Sequence, residues 1–552
     1  MPPERSELHN ELVGRALLWA AWCCPALLTV PKASSTVELI AGAAVTAGLA
    51  GVAAFLPKFL WKLSCAITLV ALPYTLWWCG AAAVGGTGPG YDAAVAATQT
   101  HSGEALGALE FVLGLPAFLT VVLAHVSFLF LALRAAAQPA AVAHRSASAR
   151  SVRIALLASL LPLSVFSLLA VGSAGPAPRR IPLFGAATLV SPLGSVVDIA
   201  AMKIRLLSWY HEQGYRRRKA RTTTVLTEPQ LAIFIIGESV RAGGYGPNQG
   251  QRGAASRQLA DRVHAGLGAW LPTTCAASDG THLAVPMLVT ATTPENRQQA
   301  PSAPTVLGIL KAAGFTTAWL ANNEAGPDVR ERGHDLYAGA FNVNPDNMDD
   351  AGLVNWKYDE EMIPLIKEFA SKSNGPKGMI LHFIGSHIPY QARYPSAFFP
   401  PEPSGLPNDQ LVDLRYARSL EYGARTILQV ADILDLTASP AFLVYASDHG
   451  ENLPSDHNGL QIHLGPRTSV QDGTVSAFVL WNKAMADTGS PARALSRLVL
   501  AKHIAHVDVA RLFLVLAGLM AGPVEPTADP TVWGRISIGD DYGVVRCTAL
   551  RP

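Results

Sequence analysis

An aspartate and a histidine stand side by side at the end of an apolar run near residue 450. Asp448 and His449 follow residues 441–446, separated from them only by a serine. A buried strand that ends in this pair can offer an oxygen and a nitrogen to one divalent metal ion, and both ligand types suit zinc. The alternative is that Asp448 caps the following turn and that His449 bonds to the backbone.

Polar residues of the same kinds accompany three further strand-like runs: Glu238 after 231–236, Asn322 and Asn323 after 316–320, and His382 and His387 in and after 379–384. A fifth run covers 475–481, and helix-like patterns cover 304–313, 408–436 and 495–518. This alternation is typical of a mostly parallel sheet covered by helices, in which ligands gather beyond the carboxyl ends of the strands. We therefore predict an α/β domain with its site at that edge of the sheet.

The first third of the chain is more apolar than a soluble protein requires. Over 552 residues the charged fraction is only 15%, and the mean hydropathy is +0.25. Windows of about 20 residues that are nearly free of charge match the length needed to cross a bilayer. We predict about five α-helical spans, at roughly 13–30, 36–56, 60–84, 107–133 and 153–173. Buried helices of a soluble core are disfavoured because these windows lack a polar face.

The basic residues between the predicted spans indicate an orientation. Segment 85–105 contains no Lys or Arg, whereas the loops on the other side contain Arg5, Arg15, Lys58, Lys62, Arg134, Arg145, Arg150 and Arg153. Since positive loops stay inside, the N-terminus is expected inside and everything after about residue 175 outside. We therefore expect a multi-pass protein of the bacterial inner membrane, with its C-terminal domain in the periplasm.

Residues 175–228 have mixed character and are expected to bridge a transmembrane domain, 1–174, and a periplasmic domain, 229–552. The stretch 199–210 is amphipathic, and a basic cluster follows at 216–219 and 221. Such helices lie on membrane surfaces with basic residues near anionic headgroups, although a solvated linker is the alternative for the cluster. Its expected place outside the cell speaks against nucleic acid as a partner.

Three motifs in this order resemble the phosphoethanolamine transferases, which are inner-membrane enzymes with a periplasmic domain of alkaline phosphatase and sulfatase type. The motifs are Gly-Glu-Ser at 237–239, the segment from His382 to His387 with Arg-Tyr-Pro at 393–395 behind it, and Ser-Asp-His-Gly-Glu at 447–451. The loop 99–105, with Glu104, is also similar to a family motif. Some members of this family modify lipid A and confer polymyxin resistance.

The resemblance implies the residues of the site. The nucleophile falls on Thr281, before Val285-Pro286, with Ser278 as the alternative. Glu238, Thr281, Asp448 and His449 would bind one Zn²⁺ tightly, and a second zinc is left open. Asn323 and Glu104 would contact substrate. A hydroxyl at the start of a helix is well placed for phosphate, although Thr281 as a simple N-cap is the alternative.

The resemblance defines the roles of the remaining histidines less closely. His387 and His463 match histidines that contact the phosphoryl group or a second zinc, and His457 is the alternative to His463 because an insertion blurs the register. Either His could protonate the leaving oxygen. His382 is equally compatible with a buried structural role. Glu451 is expected either to orient His449 or to be a solvated charge.

The chain departs from the family in its cysteines and in one lysine. Only Cys275 and Cys547 reach the outer domain, and Met287 stands where the family commonly has a cysteine. A bridge between Cys275 and Cys547 is left open, since sequence alone does not decide it. The Asn322-Asn323 pair lacks the lysine that lipid A enzymes often carry after it, which weakens lipid A as the acceptor.

We therefore predict a monomeric zinc-dependent enzyme that moves phosphoethanolamine from phosphatidylethanolamine to lipid A or another envelope glycan through a covalent threonine intermediate. A covalent bond between the phosphoethanolamine group and the protein protects that group from hydrolysis before the acceptor binds. Phosphoglycerol transfer, another phosphoesterase activity of this fold, or a non-catalytic membrane scaffold or sensor are the alternatives. Sulfate-ester hydrolysis is disfavoured because no Cys-x-Pro-x-Arg motif occurs near Cys275.

Overall fold

A computed structural model describes residues 231–247, 253–300, 303–322, 357–371, 375–458, 460, 463, 467–535 and 543–552, together with 13–21, 58–70, 72, 75, 76, 79, 113 and 116–137. Contacts divide the chain into two compact units, with the described residues up to Ala137 in one and those from Leu231 onward in the other. The predicted spans 36–56 and 153–173, the bridge at 175–228, Asn323 and Glu104 lie outside the described residues.

The smaller unit contains helical residues 13–21, α1 (Lys58–Val70) and α2 (Pro116–Ala137). These segments share a small buried cluster made by Leu18, Ala21, Cys65, Leu129 and Ala132. His125 Nδ1 lies 2.7 Å from the carbonyl oxygen of Ala21, which links α2 to the first helical segment. None of the helices in the described ranges has both the length and the apolar character needed to cross a membrane.

The larger unit contains eleven described strands: β1 (Leu231–Gly237), β2 (Gly268–Trp270), β3 (Thr273–Cys275), β4 (Thr316–Ala321), β5 (Lys377–His382), β6 (Ala441–Ser447), β7 (Thr474–Val475), β8 (Ala477–Trp481), β9 (His503–Ala505), β10 (Thr531–Gly534) and β11 (Gly543–Arg546). Its described α-helices are α3 (Ala254–His264), α4 (Thr281–Val289), α5 (Val306–Ala312), α6 (Ile363–Ser371), α7 (Asn408–Asp435), α8 (Val470–Gly473), α9 (Lys483–Asp487), α10 (Ser490–Leu495) and α11 (His506–Leu516). Short 3-10 turns lie at Pro294–Gln299, Asp359–Met362, Tyr390–Arg393, Ser396–Phe398, Pro454–Asp456, Leu498–Leu500 and Cys547–Ala549.

The main sheet has six strands in the order β2-β8-β6-β1-β5-β4. β6, β1, β5 and β4 run parallel to one another, whereas β8 runs antiparallel to both of its neighbours, β6 and β2. The predicted mostly parallel sheet is confirmed, and its central strands are buried on both faces, which explains their continuous apolar runs.

The two faces of β1 support two separate cores. Ala232, Phe234 and Ile236 pack into a cluster with α4, α5, α10 and α11. The alternate residues of β1, from Leu231 to Ile235, pack with α3, α6 and α7 on the other face. Each large apolar side chain buried in this way contributes about 1.5–3 kcal/mol. The sheet is therefore the rigid middle layer of three, and its carboxyl edge is fixed from both sides.

A second sheet of three strands, in the order β7-β3-β9, positions the loop that contains Thr281. β3 runs parallel to β9 and antiparallel to β7. The separate hairpin of β10 and β11 contacts this region through a bridge between Ser278 and Trp533 and through the Cys275–Cys547 disulfide. The pairing that the sequence left open is thus formed.

Two predicted elements differ from the structure. The predicted strand 475–481 is two strands, because Val475 pairs with Thr274 in the small sheet while Ala477 onward pairs with β6. The predicted helix 495–518 was wrong over its first half, because residues 503–505 form β9. The helix α11 begins only at His506, where Asp508 accepts a hydrogen bond from the Ala505 amide, 2.9 Å.

Candidate active site

The ends of β1 and β6 bring Glu238, Asp448 and His449 together. Gly237 lies opposite Ser447 in the parallel pairing, so that the residue after each strand emerges at the same level. All three side chains are fully buried, and one ligand atom from each lies within 4.8 Å of the others. His449 Nε2 lies 3.1 Å from Glu238 Oε1 and 3.4 Å from Asp448 Oδ2. The structure thus unites three of the four residues predicted to bind zinc.

Thr281, the fourth residue, begins α4 directly beside this cluster. Its Oγ1 lies 3.2 Å from Glu238 Oε2 and 3.1 Å from His449 Nε2. Ser278, the alternative nucleophile, is buried and donates to the carbonyl oxygen of Trp533, 3.0 Å. The hydroxyl that faces the two carboxylates and the imidazole is therefore that of Thr281.

The loop before Thr281 is held on several sides. The Ala276 amide donates to Gly473 O at 3.0 Å, and Ala277 O accepts from the Trp533 amide at 2.8 Å. Asp279 accepts from the Thr468 hydroxyl at 2.6 Å. Because each contact comes from a different element, the backbone that presents Thr281 is fixed before any substrate binds.

His387 and His463 lie near the cluster. Their rings are 5.9 Å apart, and the ring of His463 is 4.0 Å from that of His449, measured between centroids. Nδ1 of His387 lies 2.6 Å from the Ile388 carbonyl oxygen, to which it donates, and this fixes the orientation of the ring. Glu451 is fully buried, and its Oε2 lies 3.5 Å from His463 Nδ1, which contradicts the expectation of a solvated charge.

His457 and His382 have different surroundings. His457 is exposed and adopts a left-handed backbone conformation at the end of a 3-10 turn, so it does not replace His463. His382 is 1% exposed and stands edge-on to Trp319, with ring centroids 6.2 Å apart. Burial lowers the pKa of His382 to about 4, against the opposing effect of the Glu238 carboxylate.

The charges of the cluster are strongly coupled. Burial, reinforced by the nearby Glu238 carboxylate, raises the pKa of Asp448 to about 8. Burial also works against ionisation of Glu238, but His449 beside it holds the pKa of that carboxyl well below its usual range. Burial opposes a charge on His449, yet Asp448 and Glu238 hold its pKa well above its usual value. The negative charge of the two buried carboxylates is therefore not fully balanced by the positive charge of His449.

A divalent cation would supply the missing positive charge. Asp448 Oδ2 is buried and has no hydrogen-bond partner among the described residues. His449 Nδ1 donates to the Gly450 carbonyl oxygen at 2.8 Å, which directs Nε2 into the cluster. Two carboxylates, one imidazole and one hydroxyl are a donor set that zinc accepts. A second described group, Cys275, Cys547 and His503, is excluded as a metal site because its cysteines form the disulfide.

Sequence reasoning missed two residues that support the site. Asp359 is buried and accepts hydrogen bonds from the Ile384 and Gly385 amides, both at 3.0 Å, and from the Asn322 side chain at 2.9 Å. It thereby anchors the segment that leads to His387. No sequence signal marked it, since it lies within a polar stretch far from any motif.

His506 is the second missed residue. Its Nδ1 accepts from the Ala277 amide at 3.1 Å, and its Nε2 donates to the Ser447 carbonyl oxygen at 2.9 Å. Burial lowers the pKa of His506 to about 4, consistent with this neutral form. One ring thus joins the loop before Thr281 to the strand before Asp448. In the sequence it is only a histidine in the middle of the predicted helix 495–518, which is no signal of this role.

Comparisons with known proteins agree with this architecture. The chain is 29% identical over 267 residues to phosphoethanolamine transferase EptA of Escherichia coli O157:H7, which is 46% of each chain. It is 25% identical over 254 residues to the EptA of Salmonella typhimurium, 44% of each chain. The chain thus spans about half the length of the curated relatives it matches. These names confirm the resemblance that the motifs indicated.

A solved structure extends the likeness of fold. The integral membrane protein lipooligosaccharide phosphoethanolamine transferase A of Neisseria meningitidis superposes with a TM-score of 0.63 at 17% identity, covering 92% of this chain and 95% of that one. The family model described as Sulfatase matches residues 230–519, more than half of the chain and all of the cluster around Thr281. The chain belongs to the sulfatase family.

Proposed function

We propose that this protein is a membrane-bound transferase that moves phosphoethanolamine from phosphatidylethanolamine to lipid A or another envelope glycan, with its catalytic domain in the periplasm. The names of the curated relatives support the activity. The observation that carries the mechanism is the position of Thr281 Oγ1, which lies 3.2 Å from Glu238 Oε2 and 3.1 Å from His449 Nε2 at the start of α4.

Glu238, Thr281, Asp448 and His449 would bind the zinc ion. When bound, the zinc would lower the pKa of the threonine hydroxyl and neutralise charge on the phosphoryl group. Glu238 Oε2 accepts the hydrogen bond of that hydroxyl and orients its lone pair. The positive end of the α4 dipole, at Thr281, would favour the phosphoryl oxygens.

The transfer proceeds in two balanced steps. Thr281 Oγ1 gives its proton to Glu238 Oε2, which accepts its hydrogen bond, and forms a bond to phosphorus while the bond from phosphorus to the diacylglycerol oxygen breaks. His387 or His463 gives a proton to that oxygen. In the second step an acceptor hydroxyl gives its proton to the same histidine and attacks phosphorus, the bond from phosphorus to Thr281 Oγ1 breaks, and Thr281 takes its proton back from Glu238. Glu451 beside His463 would stabilise the protonated imidazole.

The test is intact-protein mass spectrometry of the detergent-purified full chain after incubation with phosphatidylethanolamine, followed by peptide mapping. We expect a phosphoethanolamine-sized increment on Thr281 that disappears in Thr281→Ala. Ser278→Ala is the matched control and should keep the adduct, since Ser278 is bonded to Trp533 O.

The outcomes separate the alternatives. An adduct that persists in Thr281→Ala contradicts the assigned nucleophile. An adduct that forms only with phosphatidylglycerol makes the protein a phosphoglycerol transferase. Zinc well below one equivalent in a folded protein without any adduct supports a non-catalytic scaffold.

A further inference from the structure

Ser239, which directly follows Glu238, has a backbone conformation that is unfavourable for a serine. Its φ is 60°, in the left-handed region, and its side chain is fully buried. For a residue with a Cβ, this region is disfavoured about 5- to 30-fold relative to the right-handed one. Such a conformation persists only where neighbouring groups hold it. The surroundings of Ser239 must therefore supply that restraint.

The hydroxyl of Tyr416, on α7, contacts the main chain on both sides of Val240. It donates to the Ser239 carbonyl oxygen at 2.8 Å and accepts from the Arg241 amide at 3.3 Å. Tyr416 is 3% exposed, and its ring stands edge-on to that of Tyr390, with centroids 5.2 Å apart. Because packing fixes the ring, its hydroxyl ties the left-handed turn to α7.

The conformation of Ser239 determines where the Glu238 side chain lies, because the chain is anchored on both sides of these two residues. Gly237 is the last residue of β1 and pairs with β6. The Val240 amide donates to the Ser447 hydroxyl at 2.8 Å. A change in φ at Ser239 must therefore be absorbed by the peptide groups between these anchors, which carry the Glu238 side chain.

Ser239 also contacts two of the proposed zinc ligands directly. Its hydroxyl donates to Glu238 Oε1 at 3.0 Å, while Glu238 Oε2 lies 3.2 Å from Thr281 Oγ1. Its amide donates to Asp448 Oδ1 at 3.3 Å. Both contacts depend on the left-handed turn, so a relaxed turn would disturb the carboxylate oxygens that face the centre of the cluster.

We propose that Tyr416 is a positioning residue, whose hydroxyl holds Ser239 in the left-handed conformation and thereby fixes the Glu238 carboxylate for the metal ion. This inference rests on the proposed function, because it takes the cluster at Glu238 as the zinc site. It assigns to α7 a part in metal binding, although α7 contributes none of the proposed ligands. The hydroxyl acts through the backbone of Ser239 and not on the metal itself.

The experiment measures the effect of Tyr416→Phe in two backgrounds that differ in backbone strain. Ser239→Ala and Ser239→Gly both remove the hydroxyl that bonds to Glu238, but glycine adopts positive φ without the steric cost. The full chain in detergent is stripped of metal and titrated with Zn²⁺ against a competing chelator, and urea unfolding of the metal-free protein is measured in parallel. Tyr245→Phe is the matched control, because Tyr245 is also buried and its hydroxyl donates to the Leu420 carbonyl oxygen of α7 at 3.1 Å.

We expect Tyr416→Phe to weaken zinc binding about 10- to 100-fold in the Ser239→Ala background, as is usual when a group that orients a metal ligand is lost. In the Ser239→Gly background the loss of affinity should be smaller by a factor of about 5 or more, because the turn no longer has to be held against its steric cost. Tyr245→Phe should lower the urea midpoint of the metal-free protein and keep the wild-type zinc affinity.

Two results overturn the inference. One is an equal loss of zinc affinity in the two backgrounds; the other is an unchanged affinity with a lowered urea midpoint, which makes the Tyr416 bond structural like that of Tyr245. A wild-type protein that binds no zinc refutes the proposed function instead. The metal-free proteins then decide the inference: Tyr416→Phe should cost less unfolding free energy with Ser239→Ala than with Ser239→Gly, since only the strained turn gains by relaxing, and equal costs reject it.

Discussion

His506 offers a sharp test of how the site is held together. Its ring accepts from the Ala277 amide and donates to the Ser447 carbonyl, and both groups are buried. In His506→Leu the volume is roughly kept, but the amide and the carbonyl lose their partners. The expected defect is therefore one of unsatisfied polar groups more than of packing.

The magnitude follows from these two bonds. Each buried group left without a partner costs about 1–3 kcal/mol, so that His506→Leu should lose about 4 kcal/mol of unfolding free energy. For a domain of this size, that loss corresponds to a fall of about 10 °C in the unfolding midpoint.

Two conservative substitutions separate the bonds. The side-chain oxygen of Asn reaches the position of Nδ1 and can accept from Ala277, whereas the longer Gln reaches the position of Nε2 and can donate to Ser447. His506→Asn and His506→Gln should each lose about half as much as His506→Leu. The assay is thermal and urea unfolding of the full chain in detergent, with zinc content measured in parallel.

Two results would refute this reasoning. One is a wild-type midpoint in His506→Leu. The other is an equal loss in all three variants, which would show that ring packing, and not the pair of hydrogen bonds, stabilises this position.

Two further predictions concern stability. Replacing both Cys275 and Cys547 by serine should cost up to about 5 kcal/mol by loop-closure entropy, because the disulfide closes a separation of 272 residues; a shift below about 1 kcal/mol in urea unfolding would contradict this. Burial lowers the pKa of His382 in the folded state to about 4, below the usual histidine value of about 6.5, so the unfolded state binds the proton first as pH falls. The His382 pKa shift thus contributes about 3 kcal/mol to the free energy of unfolding above pH 6.5, and this contribution is lost as the pH falls towards 4. In His382→Gln the free energy of unfolding should therefore fall less between pH 6.5 and pH 4. An unchanged fall over this range would contradict the prediction.

The cluster could be located from sequence because strand ends are predictable. Continuous apolar runs identified β1 and β6, and parallel strands place the residues that follow them at one edge. Glu238, Asp448 and His449 could therefore be placed at this edge without any knowledge of the register, and the resemblance selected them as ligands from the other polar residues at the strand ends. Thr281 needed the resemblance, since β3 has only three residues and no pattern of its own.

Other features depend on tertiary contacts that leave no local pattern. The bond between Cys275 and Cys547 depends on where the C-terminal hairpin docks. The apolar stretch before His506 is compatible with helix or strand, and pairing with β3 decides for β9. The choice of His463 over His457 depends on the course of a loop. In each case the deciding partner is distant in sequence.

The two sheets also have a consequence for the order in which activity can arise. The carboxylates and imidazole follow strands of the six-stranded sheet, whereas the hydroxyl of Thr281 follows a strand of the three-stranded one. A half-folded chain with only the larger sheet would have the carboxylates and the imidazole but not the threonine hydroxyl. A chain with only the smaller sheet would have the hydroxyl without the groups that activate it. Neither intermediate would contain all four side chains, so the site is complete only when both sheets have formed.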